Sequence, residues 1–223
     1  MSQTLPPLQS LPNRRSPALT PVLKRVQRYW SGLPAQNGVP LRRDVDPRAL
    51  GAALPHAFVL ENAAPRAARI RVSGGAVNDA LGMDLRGLPV SCLFDPNHRD
   101  GLPVLFSKTF DKQAQLSMML GWAASYETDR PIATRQLAGH MILLPLRDDS
   151  GRVSRALGAL VYRRPPIRGV GRFVMLDHAA RRAADARPET TADFPKLVVN
   201  NAIPQTRGLI HAEPNLRLVQ SHQ

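Results

Sequence analysis

Leu116-Ser117-Met118-Met119-Leu120-Gly121-Trp122-Ala123-Ala124-Ser125-Tyr126 is the stretch on which the fold turns. Leu116, Met118, Leu120, Trp122 and Tyr126 fall on one parity, while small or polar Ser117, Gly121, Ala123 and Ser125, with Met119, fall on the other. A period of two is that of a β-strand with one bulky face. The turn sequences Glu127-Thr128-Asp129-Arg130-Pro131 and Arg147-Asp148-Asp149-Ser150-Gly151 separate it from two more strands at 132–146 and 153–162, which predicts an antiparallel meander. In the middle strand Ile142 and Leu144 alternate with equally apolar Met141 and Leu143, so neither face is left to water. Something must cover the second face.

Two shorter strands are expected upstream, at 57–61 and 69–73, followed by a punctuated helical run at 76–96 and a helix at 97–115. That helix carries Leu102, Leu105, Phe106 and Phe110 on one side and admits Pro103 only in its first turn. Two strands, a run of helices and three more strands predict an α+β fold with a five-stranded antiparallel sheet and helices on one face. The expected cover for the other face, in its own subunit or across a dimer, is a segment at 19–33, where Leu19, Val22, Leu23, Val26, Tyr29, Trp30 and Leu33 recur at three- and four-residue steps. Thr20 before Pro21 supplies a cap, and Gly32 followed by Pro34 the stop. Asp46 before Pro47 caps a short helix carrying Leu50 and Leu54.

The chain has 223 residues and a formal charge of +13. Residues 1–28 hold five bases and no acid, 29–162 fifteen bases and twelve acids, and 163–223 ten bases and five acids, so the excess charge sits on the ends. One domain at 35–163 is expected, preceded by a disordered arm at 1–17 and the amphipathic helix at 18–34. A basic segment with a helix is expected at 164–187, then a flexible tail at 188–223. The single cysteine, Cys92, excludes a disulfide framework and suits a reducing cytoplasm. No run of apolar residues is long enough for a membrane span, and Met1 to Pro12 does not resemble a signal peptide.

Several stretches together are similar to a family. They are Tyr29-Trp30 with Leu33, Pro40-Leu41-Arg42 before Asp44-Val45-Asp46-Pro47, Leu54-Pro55 before Phe58-Val59-Leu60-Glu61, and Arg69-Ile70-Arg71-Val72-Ser73-Gly74. Leu81-Gly82-Met83-Asp84-Leu85-Arg86-Gly87, Leu144-Pro145-Leu146 and Leu157-Gly158-Ala159-Leu160 complete the pattern. Over about 28–163 the chain resembles a PAS domain of the stand-alone family common in alphaproteobacteria and formerly catalogued as a domain of unknown function. The resemblance implies a small bacterial sensory or regulatory protein in signal transduction, acting through protein–protein interaction with a protein partner or a second copy, and a small ligand in the PAS pocket is a further expectation.

Chemistry of its own is hard to find. The six histidines form no short-spaced metal set, and no nucleophile elbow or phosphate loop is present, so neither catalysis nor a metal is expected. Phe106, Phe110, Met118, Trp122 and His140 are the candidates to line a ligand pocket, with core packing as their plainer role. Neither haem nor flavin is expected: Cys92 stands where light-sensing relatives hold a reactive cysteine, but Ser91, Leu93 and Asp95 surround it rather than the Asn, Arg and Gln that hold a flavin. Leu19, Val22, Leu23, Val26, Tyr29 and Trp30 are the interaction-helix candidates. Arg163, Arg164, Arg168, Arg172, Arg181 and Arg182 form a candidate basic patch, and the alternative function is a nucleic-acid-associated regulator that binds phosphates through 163–187.

Overall fold

The computed structural model describes residues 20–63, 67–123, 137–163 and 171–185. Leu19, the arms at 1–17 and 188–223, the strand end Ser125-Tyr126, the turn at 127–131, Arg164 and Arg168 lie outside the described residues.

Thr20 begins helix α1 (Pro21–Ser31) as its sequence predicts: its Oγ1 accepts the Leu23 N–H at 3.4 Å, and Gly32 ends the helix. Asn37 and Gly38, at φ 53° and 76°, turn the chain between β1 (Ala35–Gln36) and β2 (Val39–Pro40). Asp46 caps α2 (Pro47–Leu50) by accepting the Arg48 N–H at 2.9 Å. A 3-10 turn, Gly51–His56, leads into β3 (Ala57–Ala63) and β4 (Ala67–Ser73). Then come α3 (Gly75–Asn78), 3-10 turns Val90–Leu93 and Pro96–His98, and α4 (Leu102–Asp111). The chain continues through β5 (Ala114–Trp122), β6 (Gly139–Arg147), β7 (Val153–Tyr162), β8 (Phe173–Arg182) and a last 3-10 turn, Ala183–Asp185.

The main sheet runs β4-β3-β7-β6-β5-β8, every neighbouring pair antiparallel. The α+β architecture and the meander are those expected. The sheet has six strands, however, because the segment expected as a helix after Arg172 is β8, paired along the free side of β5 from Trp122↔Phe173 to Ala114↔Arg182. Its alternation is broken by a bulge opposite Met119 and Leu120, which hides the period of two. The helix expected at 97–115 is shorter. Asp95 caps a separate 3-10 turn by accepting the Asn97 N–H at 3.0 Å, and Gln113 at φ 52° reverses the chain so that β5 starts at Ala114. The run at 76–96 is mostly turns, held by Asn78: its Oδ1 accepts from the Ser73 hydroxyl at 2.6 Å and from the Leu85 N–H at 3.2 Å.

The sheet separates two cores. On its inner face Phe58, Leu60, Ile70, Met118, Leu120, Met141 and Leu143 pack with Leu102, Leu105, Phe106 and Phe110 of α4 and with the turns around Leu85 and Phe94. On the outer face Ile142, Leu144, Leu146, Leu157 and Ala159 pack beneath Leu23, Val26 and Trp30 of α1. The helix therefore covers the second face within its own chain, as the doubly apolar strands require. Gly38 lets the β1–β2 hairpin approach the 3-10 turn after β8 closely, since a Cβ there would lie 2.7 Å from the backbone of Ala183. Among the described residues no helix is long and apolar enough to cross a membrane.

Candidate functional site

Four of the five pocket candidates come together on the inner face. Phe106, Phe110, Met118 and Trp122 are all buried in the inner core. Trp122 stacks on Phe173 with ring centroids 4.3 Å apart and meets Tyr162 edge-on at 5.8 Å, while Tyr162 and Phe173 are 5.7 Å apart. Phe173 is the member that sequence reasoning missed, because it opens the strand taken for a helix. The Trp122 Nε1–H is buried with no hydrogen-bond partner among the described residues, the one polar feature of this aromatic group left unsatisfied. The Tyr162 hydroxyl donates to the Ala76 carbonyl at 2.9 Å and ties the group to α3.

His140 does not belong with them. It has the parity of Ile142 and Leu144, which face α1, and not of Met141 and Leu143, which face α4. Its Nε2 lies 2.7 Å from the hydroxyl of Ser117, which faces the same way on β5. The expected pocket histidine is thus a residue of the outer face, paired to a neighbouring strand. Burial holds its ring well below the ordinary imidazole range, at about 4, so it is neutral at physiological pH. Two residues before Ser117 on β5, Gln115, also buried, accepts from Gln27 of α1 at 3.3 Å while its own Nε2 finds no partner among the described residues.

The interaction-helix candidates divide by burial. Leu23, Val26 and Trp30 are fully packed on the sheet, and Val22 and Tyr29 are partly covered. The Trp30 Nε1–H donates to the Pro145 carbonyl at 2.9 Å, and the Tyr29 hydroxyl accepts the Asp46 N–H at 2.6 Å. The exposed side of α1 shows Arg25 and Arg28.

The described arginines of the candidate basic patch do not converge. Arg172 donates to the Cys92 carbonyl at one end of β8. Arg181 and Arg182 stand at the other end, roughly 30 Å away at about 3.3 Å per strand residue, with their side chains on opposite faces. Arg163 follows β7 and is exposed. Cys92 is half-buried in the turn Val90–Leu93; burial raises its thiol, partly offset by Arg172 and Arg99, so it is held in the weakly reactive protonated form. Among the described residues no three or more His, Cys, Asp or Glu side chains are placed to hold a metal ion.

A PAS domain family model matches residues 19–161. No curated protein matches the chain in sequence. Among solved structures, the chain is similar to the light-state LOV domain of the blue-light photoreceptor Aureochrome1 at 14% identity and TM-score 0.34, covering 49% of this chain and 81% of that one. It is similar to a sensory box sensor histidine kinase of Vibrio cholerae at 11% identity and TM-score 0.31, covering 49% and 82%. An RNA-binding light-oxygen-voltage receptor matches at 16% identity and TM-score 0.33, covering 59% of this chain and 36% of the other. Likenesses at this level carry no argument about ligand or partner.

Proposed function

The chain belongs to the PAS domain family, and from that premise we propose that it is a sensory or regulatory protein that acts by binding another protein, with α1 as the part that moves and no catalysis of its own. The second core beneath α1 is the observation that carries this reading. Leu23, Val26 and Trp30 are 0%, 0% and 3% exposed, and at roughly 1.5–3 kcal/mol for each buried apolar side chain their exposure would cost on the order of 5–9 kcal/mol. Thermal fluctuation alone would open such a lid rarely. A partner that lays its own apolar helix or strand over Ile142, Leu144 and Leu157 would offset that cost, and the lid equilibrium would shift by its differential affinity for the uncovered sheet.

A small ligand enters the same scheme from the inner side, where the Trp122, Tyr162 and Phe173 rings meet and an indole N–H awaits an acceptor. The scheme needs neither haem nor flavin. The nucleic-acid alternative has less support, because the described arginines of 163–187 are spread over both ends and both faces of β8.

Hydrogen exchange on the full chain and on Val26→Asp tests the lid. We expect the variant to lose protection along α1 while β3, β5, β6 and β7 keep theirs, and to change its capture of one and the same partner identified by mass. Collapse of protection throughout the sheet would show that α1 is an inseparable part of the fold and would end this reading.

A further inference from the structure

The two edges of the sheet are treated differently. On β4 the Ile70 N–H donates to the Leu88 carbonyl at 2.9 Å and the Ile70 carbonyl accepts the Gly87 N–H at 2.7 Å, so the chain's own turn occupies that edge. On β8 only the first residue is occupied in this way: the Phe173 carbonyl accepts the Asp95 N–H at 2.8 Å. Among the described residues nothing pairs with the outer side of β8 beyond it. The strand carries no proline or lysine, the residues that commonly guard an edge.

Which backbone groups point outward follows from the register. The Ala183 N–H donates to the Gln113 carbonyl, toward β5. By alternation Arg181, Ala179 and Asp177 also turn their backbone groups to β5, and Arg182, Ala180 and His178 turn theirs away. The His178 N–H confirms this, since it is taken up locally by its neighbour's carboxylate, Asp177 Oδ1, at 2.7 Å. Asp177 and Arg181 share the outer face of the sheet, opposite Met119 and Gln115.

We propose that β8 is a homodimerisation edge, pairing antiparallel with β8 of a second copy about a two-fold axis at Ala179. In that register His178 and Ala180 exchange backbone hydrogen bonds across the axis, and Asp177 of each copy stands opposite Arg181 of the other. The sequence of the edge is therefore complementary to its own reverse, which is what an isologous contact requires. The side chains of a non-hydrogen-bonded pair approach most closely, at about 4.5 Å between Cα atoms, and the pair on the axis is Ala179 with itself, small enough to fit. The His178 N–H then bonds the second copy's Ala180 carbonyl, and the freed Asp177 carboxylate meets the guanidinium across the axis.

This surface is separate from the α1 lid, and either can fail without the other. Sedimentation equilibrium of the full chain tests it over a range of concentrations. We expect a reversible monomer–dimer equilibrium, a dissociation constant about 10-fold weaker in Asp177→Arg, where both symmetric pairs become repulsive, and recovery in the double variant D177R/R181D. Ala180→Pro, which removes an outward N–H and spares the β5 ladder, is expected to abolish the dimer while circular dichroism stays unchanged. A wild-type chain that stays monomeric throughout, or a dimer indifferent to both Asp177→Arg and Ala180→Pro, overturns the proposal, as does a double variant no tighter than D177R.

Discussion

The hydroxyl of Ser117 and the ring of His140 meet at 2.7 Å on the sheet face that α1 covers, 23 residues apart in sequence and diagonal in register. The pair satisfies two polar groups that would otherwise lie unpaired between the outer core and solvent, and it places a neutral imidazole where a charged one is unwelcome.

Acid sensitivity follows from that placement. The folded-state pKa of His140 is depressed to about 4 from an ordinary value of 6.5, so between these values the unfolded chain binds a proton that the folded chain does not. Stability is full above pH 6.5 and declines as pH falls toward 4, with a limiting slope of about 1.4 kcal/mol per pH unit. Urea unfolding of wild type and His140→Leu across pH 7 to 4 checks this. The variant should start less stable, with Ser117 unpaired, and lose less on acidification. Equal slopes in the two proteins would assign the acid response to other groups.

Asp148 gives a second, lower window. Its carboxylate accepts from the Ser150 and Ser154 hydroxyls and from the Ser150 and Arg152 N–H groups, and these bonds hold it far below the usual carboxylate range. The stability it contributes is present above the unfolded carboxylate value near 3.8 and disappears as pH drops further. Asp148→Ala should lower the melting temperature at pH 7 and lower it by less at pH 2, where part of the contribution is already lost, read by calorimetry.

Much of this fold is legible in the residues themselves. Thr20, Pro21, Asp46 and Gly32 act where their chemistry says, and the parity of Leu116, Met118, Leu120 and Trp122 identifies the inner face. His140 was harder because Ile142, Leu144, Met141 and Leu143 are all apolar, so strand β6 does not by itself say which parity faces α4; the topology does. Strand β8 is concealed by its bulge and by Ala179-Ala180-Arg181-Arg182, good helix formers whose pairing with β5 outweighs local propensity. The β1–β2 hairpin has a local signal in Asn37-Gly38, the strongest kind of two-residue hairpin pair. Nothing local announces Asn78, whose role depends on Ser73 and Leu85 arriving beside it.

Gly158 faces Phe58 directly across β7 and β3, and a Cβ at that position would lie 2.2 Å from the phenyl ring. Phe58 is fully buried and cannot swing away without disturbing the inner core. Gly158→Ala should therefore destabilise the fold by about 1–3 kcal/mol or more through overpacking. The double variant with Phe58→Leu should recover part of that loss, and the coupling is measured by a double-mutant cycle in urea.

The two tryptophans report on the two cores separately. Trp30 lies in the outer core under α1 with its N–H on the Pro145 carbonyl, while Trp122 lies in the inner core stacked on Phe173. Replacing Trp30 by Phe removes a buried hydrogen bond, worth about 1–3 kcal/mol once the carbonyl is left without its donor, and leaves Trp122 as the only emitter. Replacing Trp122 by Phe gives the reverse reporter and removes an indole N–H that has no partner among the described residues, so its cost should be the smaller of the two. In the Trp122→Phe background Val26→Asp should shift Trp30 emission to the red, as the lid admits water. In the Trp30→Phe background the same substitution should leave Trp122 emission unchanged, because the sheet stands between them. A red shift at both sites would mean that the two cores open together, and the sheet would then be no barrier between lid and aromatic group.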